Sequence, residues 1–285
     1  MGSESFITYV INQPYAYWWK ESAGPFLAKR GWHIFEPSKF SFESSGRPLE
    51  RKKIRDEDYC LQEASIVVQF HGEPSFDSVF EPSSDRTIVD DMLAFMSLYS
   101  GKYCQYLWKE SRLREKDWSA LLVLMVNTNG SGAVWAAAPE MAIDYFQRAL
   151  GIIPEIDKTQ LRLAMRWFFS ALKEFELEFG RPLLESALNW VCLESQANSL
   201  GITGSKLQKV STLLLDQKFP TIPRLRDFYL LRNDAFHDGE LSSLREPDAQ
   251  AARTAGRTLV RASVLKLLGM DDAEFDTSFS KLYLT

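Results

Sequence analysis

Arg232 and His237 are the side chains of this sequence best suited to chemistry: a fixed cation and a proton carrier five residues apart, with Asn233 beside the arginine. A guanidinium stabilises developing negative charge, and an imidazole takes or gives a proton near neutral pH. The surrounding stretch reads as a helix, because Ile222, Leu225, Tyr229, Arg232 and Phe236 recur at helical spacing. The guanidinium therefore falls on an otherwise apolar stripe, where burial is costly without a partner or a ligand. Gly239 is the usual residue just past a helix end, so His237 sits in the last turn, near the negative end of the helix dipole. That position favours the imidazolium. On an ideal helix Asn233 and His237 share a face, whereas Arg232 and His237 point roughly 140° apart at about 100° per residue. The pair converges only through the long arginine arm or a distorted last turn.

Tyr229-Leu230-Leu231-Arg232-Asn233-Asp234-Ala235-Phe236-His237-Asp238-Gly239 resembles, without a gap, the Y-x-x-R-N-x-x-x-H-x-G string of the HEPN family, in the manner of its Apea-like branch. The family's domains are helical bundles that carry this string near the end of a late helix, followed by one more helix. The resemblance implies a metal-independent endoribonuclease, in which the RNA 2′-hydroxyl attacks the adjacent phosphate and leaves a cyclic phosphate and a free 5′-hydroxyl. His237 would move protons, Arg232 would clamp the phosphorane charge, and Asn233 would orient the phosphate or His237. No cofactor is implied. One helix gives half a site, and HEPN nucleases complete it by pairing two bundles about a two-fold axis, so the single motif here implies a homodimer. A prokaryotic defence or toxin role, and an inhibitory or triggering protein partner, follow from the same resemblance.

Some members of the family keep the fold without chemistry and act as scaffolds for nucleotide, RNA or a protein partner. In that reading Arg232 is a buried salt-bridge residue, paired with Glu194 or Asp227, and His237 is a helix cap. Glu194 either holds the arginine or faces solvent. Asp234 and Asp238 either raise the proton affinity of His237 or coat the surface, and their charge opposes the approach of RNA.

The elements that must position the motif are helices. Asp157 and Gln160 stand in capping-box relation ahead of Leu161, Met165, Phe168, Leu172, Phe175 and Phe179. Gly180-Arg181-Pro182 ends that helix and begins the next, with Leu184, Leu188, Val191 and Glu194. A short helix is expected from Ser205 to Leu215; Pro220 and Pro223 open the motif helix, and Pro247 opens a final one through Leu268. Residues 151–285 thus read as an all-α, HEPN-like bundle.

Residues 1–150 read instead as a mixed α+β sensing or targeting domain. Ser5–Ile11 and Ser65–His71 are β-branched and aromatic runs bounded by turn residues, Trp32–Phe42 suits a strand or hairpin, and Leu121–Val126 suits a strand. Arg86–Trp108 reads as helix with a break near Gly101, and Pro139 opens a helix through Leu150. Asn127–Gly132 is glycine-containing but has no phosphate-loop lysine. The basic run Arg51, Lys52 and Lys53 either meets RNA phosphates or forms a solvated loop balanced by Asp56, Glu57 and Asp58. Tyr15, Tyr17, Trp18 and Trp19 are either a stacking platform or core.

Composition narrows the remaining classes. With 285 residues and 45% hydrophobic content the chain can build one large or two modest cores. A net charge of -5 excludes a surface that grips nucleic acid all over, so any RNA contact is local. Cys60, Cys104 and Cys192 are isolated, with only His33 and His71 outside the motif, a pattern that indicates neither a zinc cage nor a disulfide framework. No apolar run reaches the roughly 18 residues of a membrane span. Met1-Gly2-Ser3-Glu4-Ser5 lacks the basic segment and apolar core of a signal peptide, and the expectation is a cytoplasmic protein.

Overall fold

The computed structural model of the chain describes residues 6–12, 18–40, 64, 66–71, 88–100, 104–112, 118–122, 142–151, 158–173, 198–203, 209 and 246–271. These fall into two compact units. The first contains residues 1–78, 83–89 and 104–130, and the second contains 79–82, 90–103 and 131–285. The division does not follow the chain in one cut: residues 142–150, expected with the N-terminal half, belong to the second unit.

The first unit is organised by a five-stranded sheet. Its strands are β1 (Phe6–Asn12), β2 (Trp32–Phe35), β3 (Ile66–His71), β4 (Gln105–Arg112) and β5 (Trp118–Leu122), in the spatial order β2-β3-β1-β4-β5. All neighbouring pairs are antiparallel. A π-helical turn, Trp19–Ala23, runs into α1, Gly24–Ala28, between β1 and β2. The turn is wide because Pro25 has no N–H, and the Gly24 amide bonds to the Trp19 carbonyl five residues back. Helix α2, Ile88–Ser100, lies between β3 and β4 in the chain, and all of it beyond Val89 belongs to the second unit. Element order and strand order together are those of the ferredoxin-like split βαβ arrangement, with β5 added beside β4.

Strand alternation decides what each face of the sheet carries. On one face Ile7, Phe70 and Trp32 lie abreast, as do Tyr9, Val68 and Ile34. Tyr9 packs on Trp32 with ring centres 6.0 Å apart, and Trp32 packs on Phe70 at 5.4 Å. Gly24 brings α1 onto this face so closely that an added Cβ would stand 3.0 Å from the Ile34 Cδ1. On the other face Val10, Val67, Trp108, Leu107 and Phe40 form an apolar cluster with Phe35 and Ala64. A bulge between Val10 and Ile11 shifts the β1–β4 register, placing Trp108 opposite Val10 and Tyr106 opposite Ile11.

Two sequence expectations change here. Of the expected Trp32–Phe42, only Trp32–Phe35 is described as strand: Pro37 cannot donate to a ladder, the chain leaves β2 in a 3-10 turn, Pro37–Lys39, that delivers Phe40 to the core, and residues 41 and 42 lie outside the described residues. Residues 105–108, expected at the end of a helix, are strand. They follow the break expected near Gly101, and their pairing with β1, with that of residues 108–112 to β5, makes them strand. Of the expected strand Leu121–Val126, residues 121 and 122 lie in β5 and the rest lie outside the described residues.

The described elements of the second unit are helical: most of α2, then α3 (Ala142–Gly151), α4 (Lys158–Lys173) and α5 (Glu246–Leu267). α2 is apolar nearly all round and buried on all sides, with Asp90 its one partly exposed residue. Ser97 and Ser100 return their hydroxyls to the Leu93 and Met96 carbonyls at 2.7 Å, which satisfies them inside the core. Phe95 meets Phe146 of α3 at 5.4 Å, and Tyr99 meets Tyr145 at 6.1 Å. Pro247 stands in the first turn of α5, as expected. Gly269, at φ 84°, closes that helix: its amide bonds to the Lys266 carbonyl, and Met270 bonds to Leu265.

Candidate functional site

The residues singled out for ribonuclease chemistry, Arg232, Asn233 and His237, lie outside the described residues together with Tyr229, Asp234 and Glu194. So do Arg51, Lys52 and Lys53, and the helices expected over 182–194 and 222–239. Of the aromatic group near the N-terminus, Trp18 and Trp19 are described; they are 2% and 0% exposed and pack edge to face at 5.2 Å, which makes them core. Cys104 is a buried cysteine.

Within the first unit a groove of about 480 Å³ runs between α1 and the edge strand β2. Its wall on the helix side is Lys20, Gly24, Pro25 and Ala28; on the strand side it is the whole of β2 with Glu36. Glu36 is held by Lys39 at 2.7 Å and approached by Lys20 at 3.8 Å. The hydrogen bond and charge of Lys39, with the charge of Lys20 behind it, hold the Glu36 carboxyl below the usual glutamate range.

A polar row crosses the apolar sheet beside this groove. Register sets His33, Gln69, Thr8 and Glu110 abreast on four strands. Thr8, Gln69 and Glu110 are buried, so each needs hydrogen bonds from within the protein. The Gln69 Nε2 donates to the Thr8 Oγ1 at 2.9 Å, and the Trp108 Nε1 donates to the Glu110 Oε2 at 3.4 Å. At the edge of the row the Gln69 Oε1 lies 3.0 Å from the Nε2 of His71, two residues further along β3. His71 and His33 are both exposed, and their rings meet edge to face with centres 5.6 Å apart. Nothing in the sequence separation of these two histidines signals that contact. Strand pairing alone creates it.

The second unit concentrates arginines on buried oxygen atoms. Arg162 and Arg166, one turn apart on α4, both reach Asp91 of α2; the Nε atoms are 3.1 Å and 2.9 Å from Oδ1. The Arg162 Nε is also 3.0 Å from Oδ2. Burial pushes the Asp91 carboxyl up from the ordinary aspartate range, against the opposing pull of Arg166 and Arg162. Arg261 of α5, fully buried, donates to the Leu98 and Tyr99 carbonyls at 2.7 Å and 2.9 Å. Desolvation lowers its guanidinium to about 10. These charges tie α4 and α5 to α2, and their burial gives them a role in the packing of these three helices.

Among the described residues no group of three or more His, Cys, Asp or Glu is placed to hold a metal ion, and no helix is long and apolar enough to cross a membrane. Comparison with known proteins finds no matching family model, no similar curated protein and no similar solved structure.

Proposed function

We propose that the chain is a HEPN-type endoribonuclease that works as a homodimer, with His237 as the proton-transfer group, Arg232 as the phosphate clamp and Asn233 as the orienting residue. The observation that carries this reading is the uninterrupted string from Tyr229 to Gly239, in which arginine, asparagine, histidine and glycine all stand at the family's spacing. The helical character of α4 before the motif and of α5 after it is compatible with the family's element order. In this reading RNA is cut without a metal, because imidazole and guanidinium supply both proton transfer and charge stabilisation. The N-terminal α+β part senses a trigger or directs the nuclease, in a cytoplasmic defence or toxin system.

The test is cleavage of single-stranded RNA by the full-length chain in EDTA, with analysis of the ends. Cyclic-phosphate products, and loss of cutting in both Arg232→Ala and His237→Ala, are expected. Cutting that needs magnesium, or that survives both substitutions, overturns the proposal. RNA binding without cleavage would favour the scaffold form of the family, a reading that Asp234 and Asp238 beside His237 already support by opposing phosphate approach.

A further inference from the structure

We propose that the groove between α1 and the edge strand β2 receives an extended segment of a partner protein, which adds to the sheet as a further strand and sets an acidic residue beside Lys20. The inference does not depend on the ribonuclease reading, because no residue from Tyr229 to Gly239 takes part in it.

The backbone of β2 decides the class of ligand. Among the described residues β2 is the terminal strand of the sheet and pairs with β3 on one side. Every residue from Trp32 to Glu36 lines the groove, whichever face its side chain takes, so the groove follows the edge of the strand and not one of its faces. Along such an edge the N–H and C=O groups of alternate residues point outward. Glu36 prolongs the extended backbone, at φ -67° and ψ 135°, before Pro37 turns the chain. These residues present an edge of roughly 17 Å at about 3.4 Å per residue. An extended peptide backbone is the ligand whose donors and acceptors repeat at that spacing. The strand, Trp-His-Ile-Phe, contains neither lysine nor proline, the residues that commonly blunt an open edge.

The side chains of the groove set what the segment carries. Ile34 is half-buried, and Pro25 and Ala28 on the helix wall are exposed. A residue of the added strand opposite Ile34 points to the same face, and an apolar side chain there packs between Ile34 and the two small helix residues. Glu36 lies two residues further on, so the residue opposite it takes that face too. There Lys20, in the turn before α1, and Lys39 share one carboxylate, that of Glu36. Lys39 holds it at 2.7 Å, whereas Lys20 stands at 3.8 Å and is 45% exposed. One positive charge is in excess at this end of the groove, and a carboxylate on the segment complements it. In antiparallel pairing, the more stable ladder, the segment reads acidic-x-apolar in chain order.

The experiment is fluorescence anisotropy of labelled, acetylated peptides of the acidic-x-apolar pattern on the full-length chain, with lysine in place of the acid as the comparison. The acidic peptides should bind, the lysine peptides should bind about tenfold more weakly, and Lys20→Glu should reverse that order. Ala28→Trp, at an exposed position, should fill the groove and weaken binding at least about tenfold, with a urea midpoint near that of the wild type. N-methylation of the peptide amides separates strand addition from apolar contact alone. Methyl groups on one alternate set of amides should weaken binding about tenfold each, and those on the other set, which faces away from β2, should not. Absence of binding, unchanged binding in Ala28→Trp, an unchanged charge order in Lys20→Glu, or equal sensitivity to both sets of methyl groups overturns the proposal. A dimer of the wild-type chain that Ala28→Trp dissociates overturns it too, since the edge then belongs to a second copy.

Discussion

Arg166 is the second guanidinium on the Asp91 carboxylate, 2.9 Å from the same oxygen that Arg162 reaches at 3.1 Å. The Asp91 side chain is fully buried, Arg162 is 7% exposed, and Arg166 is 25% exposed. The carboxylate compensates both guanidiniums, and removing one partner of a buried ion group leaves uncompensated charge. Asp91→Asn should cost about 3–5 kcal/mol of stability. Arg166→Met should cost less than Arg162→Met, because solvent reaches Arg166. Urea denaturation of the three variants checks this, and a near-neutral Asp91→Asn would show that water reaches the cluster.

The same relationship bears on where the chain can be cut. Residues 151–285 alone would lack α2, and with it Asp91 for Arg162 and Arg166, and the Leu98 and Tyr99 carbonyls for Arg261. Two buried arginines, Arg162 and Arg261, and the partly exposed Arg166 would lose these oxygen partners. Such a fragment is expected to be insoluble or to lack a cooperative melt by circular dichroism. A fragment melting at the temperature of the full chain would sink the idea.

Gly269→Ala should destabilise the end of α5. The residue stands at φ 84°, a conformation that costs an L side chain about 1–2 kcal/mol, and an added Cβ would also press on the Arg148 Nη1 at 3.3 Å. That atom is the one that donates to the Leu268 carbonyl, also at 3.3 Å. A lowered urea midpoint with unchanged slope is the expected result.

Glu36 should give a small acid-range dependence. Its carboxyl titrates lower in the folded chain than in the unfolded one, chiefly through Lys39 and then Lys20. The stabilisation is therefore present above the unfolded value, and it fades as pH falls through the folded one. Thermal melts of wild type and Glu36→Gln should differ at neutral pH and converge under acid conditions. Added salt should shrink the neutral-pH difference, because the pair is exposed.

Local signals made several elements legible in the sequence. β-branched and aromatic runs mark β1 and β3 to within a residue of their observed bounds, and proline at the start of α5 places its first turn. The spacing of Arg232, Asn233 and His237 is likewise a local pattern, readable as chemistry before any fold is known. Non-local contacts decided the rest. Gln105–Trp108 has apolar residues that fit the tail of a helix, and becomes strand only because β1 offers it a ladder about a hundred residues away in sequence. His33 and His71 look like isolated histidines until β2 pairs with β3, and Asp91 looks like an exposed first-turn acid until Arg162 and Arg166 reach it from 71 and 75 residues away. Helix periodicity and turn chemistry act over a few residues and are written in the order of the side chains. Hydrogen-bonded register and the desolvation of charge arise only when distant segments meet, so they belong to the tertiary structure.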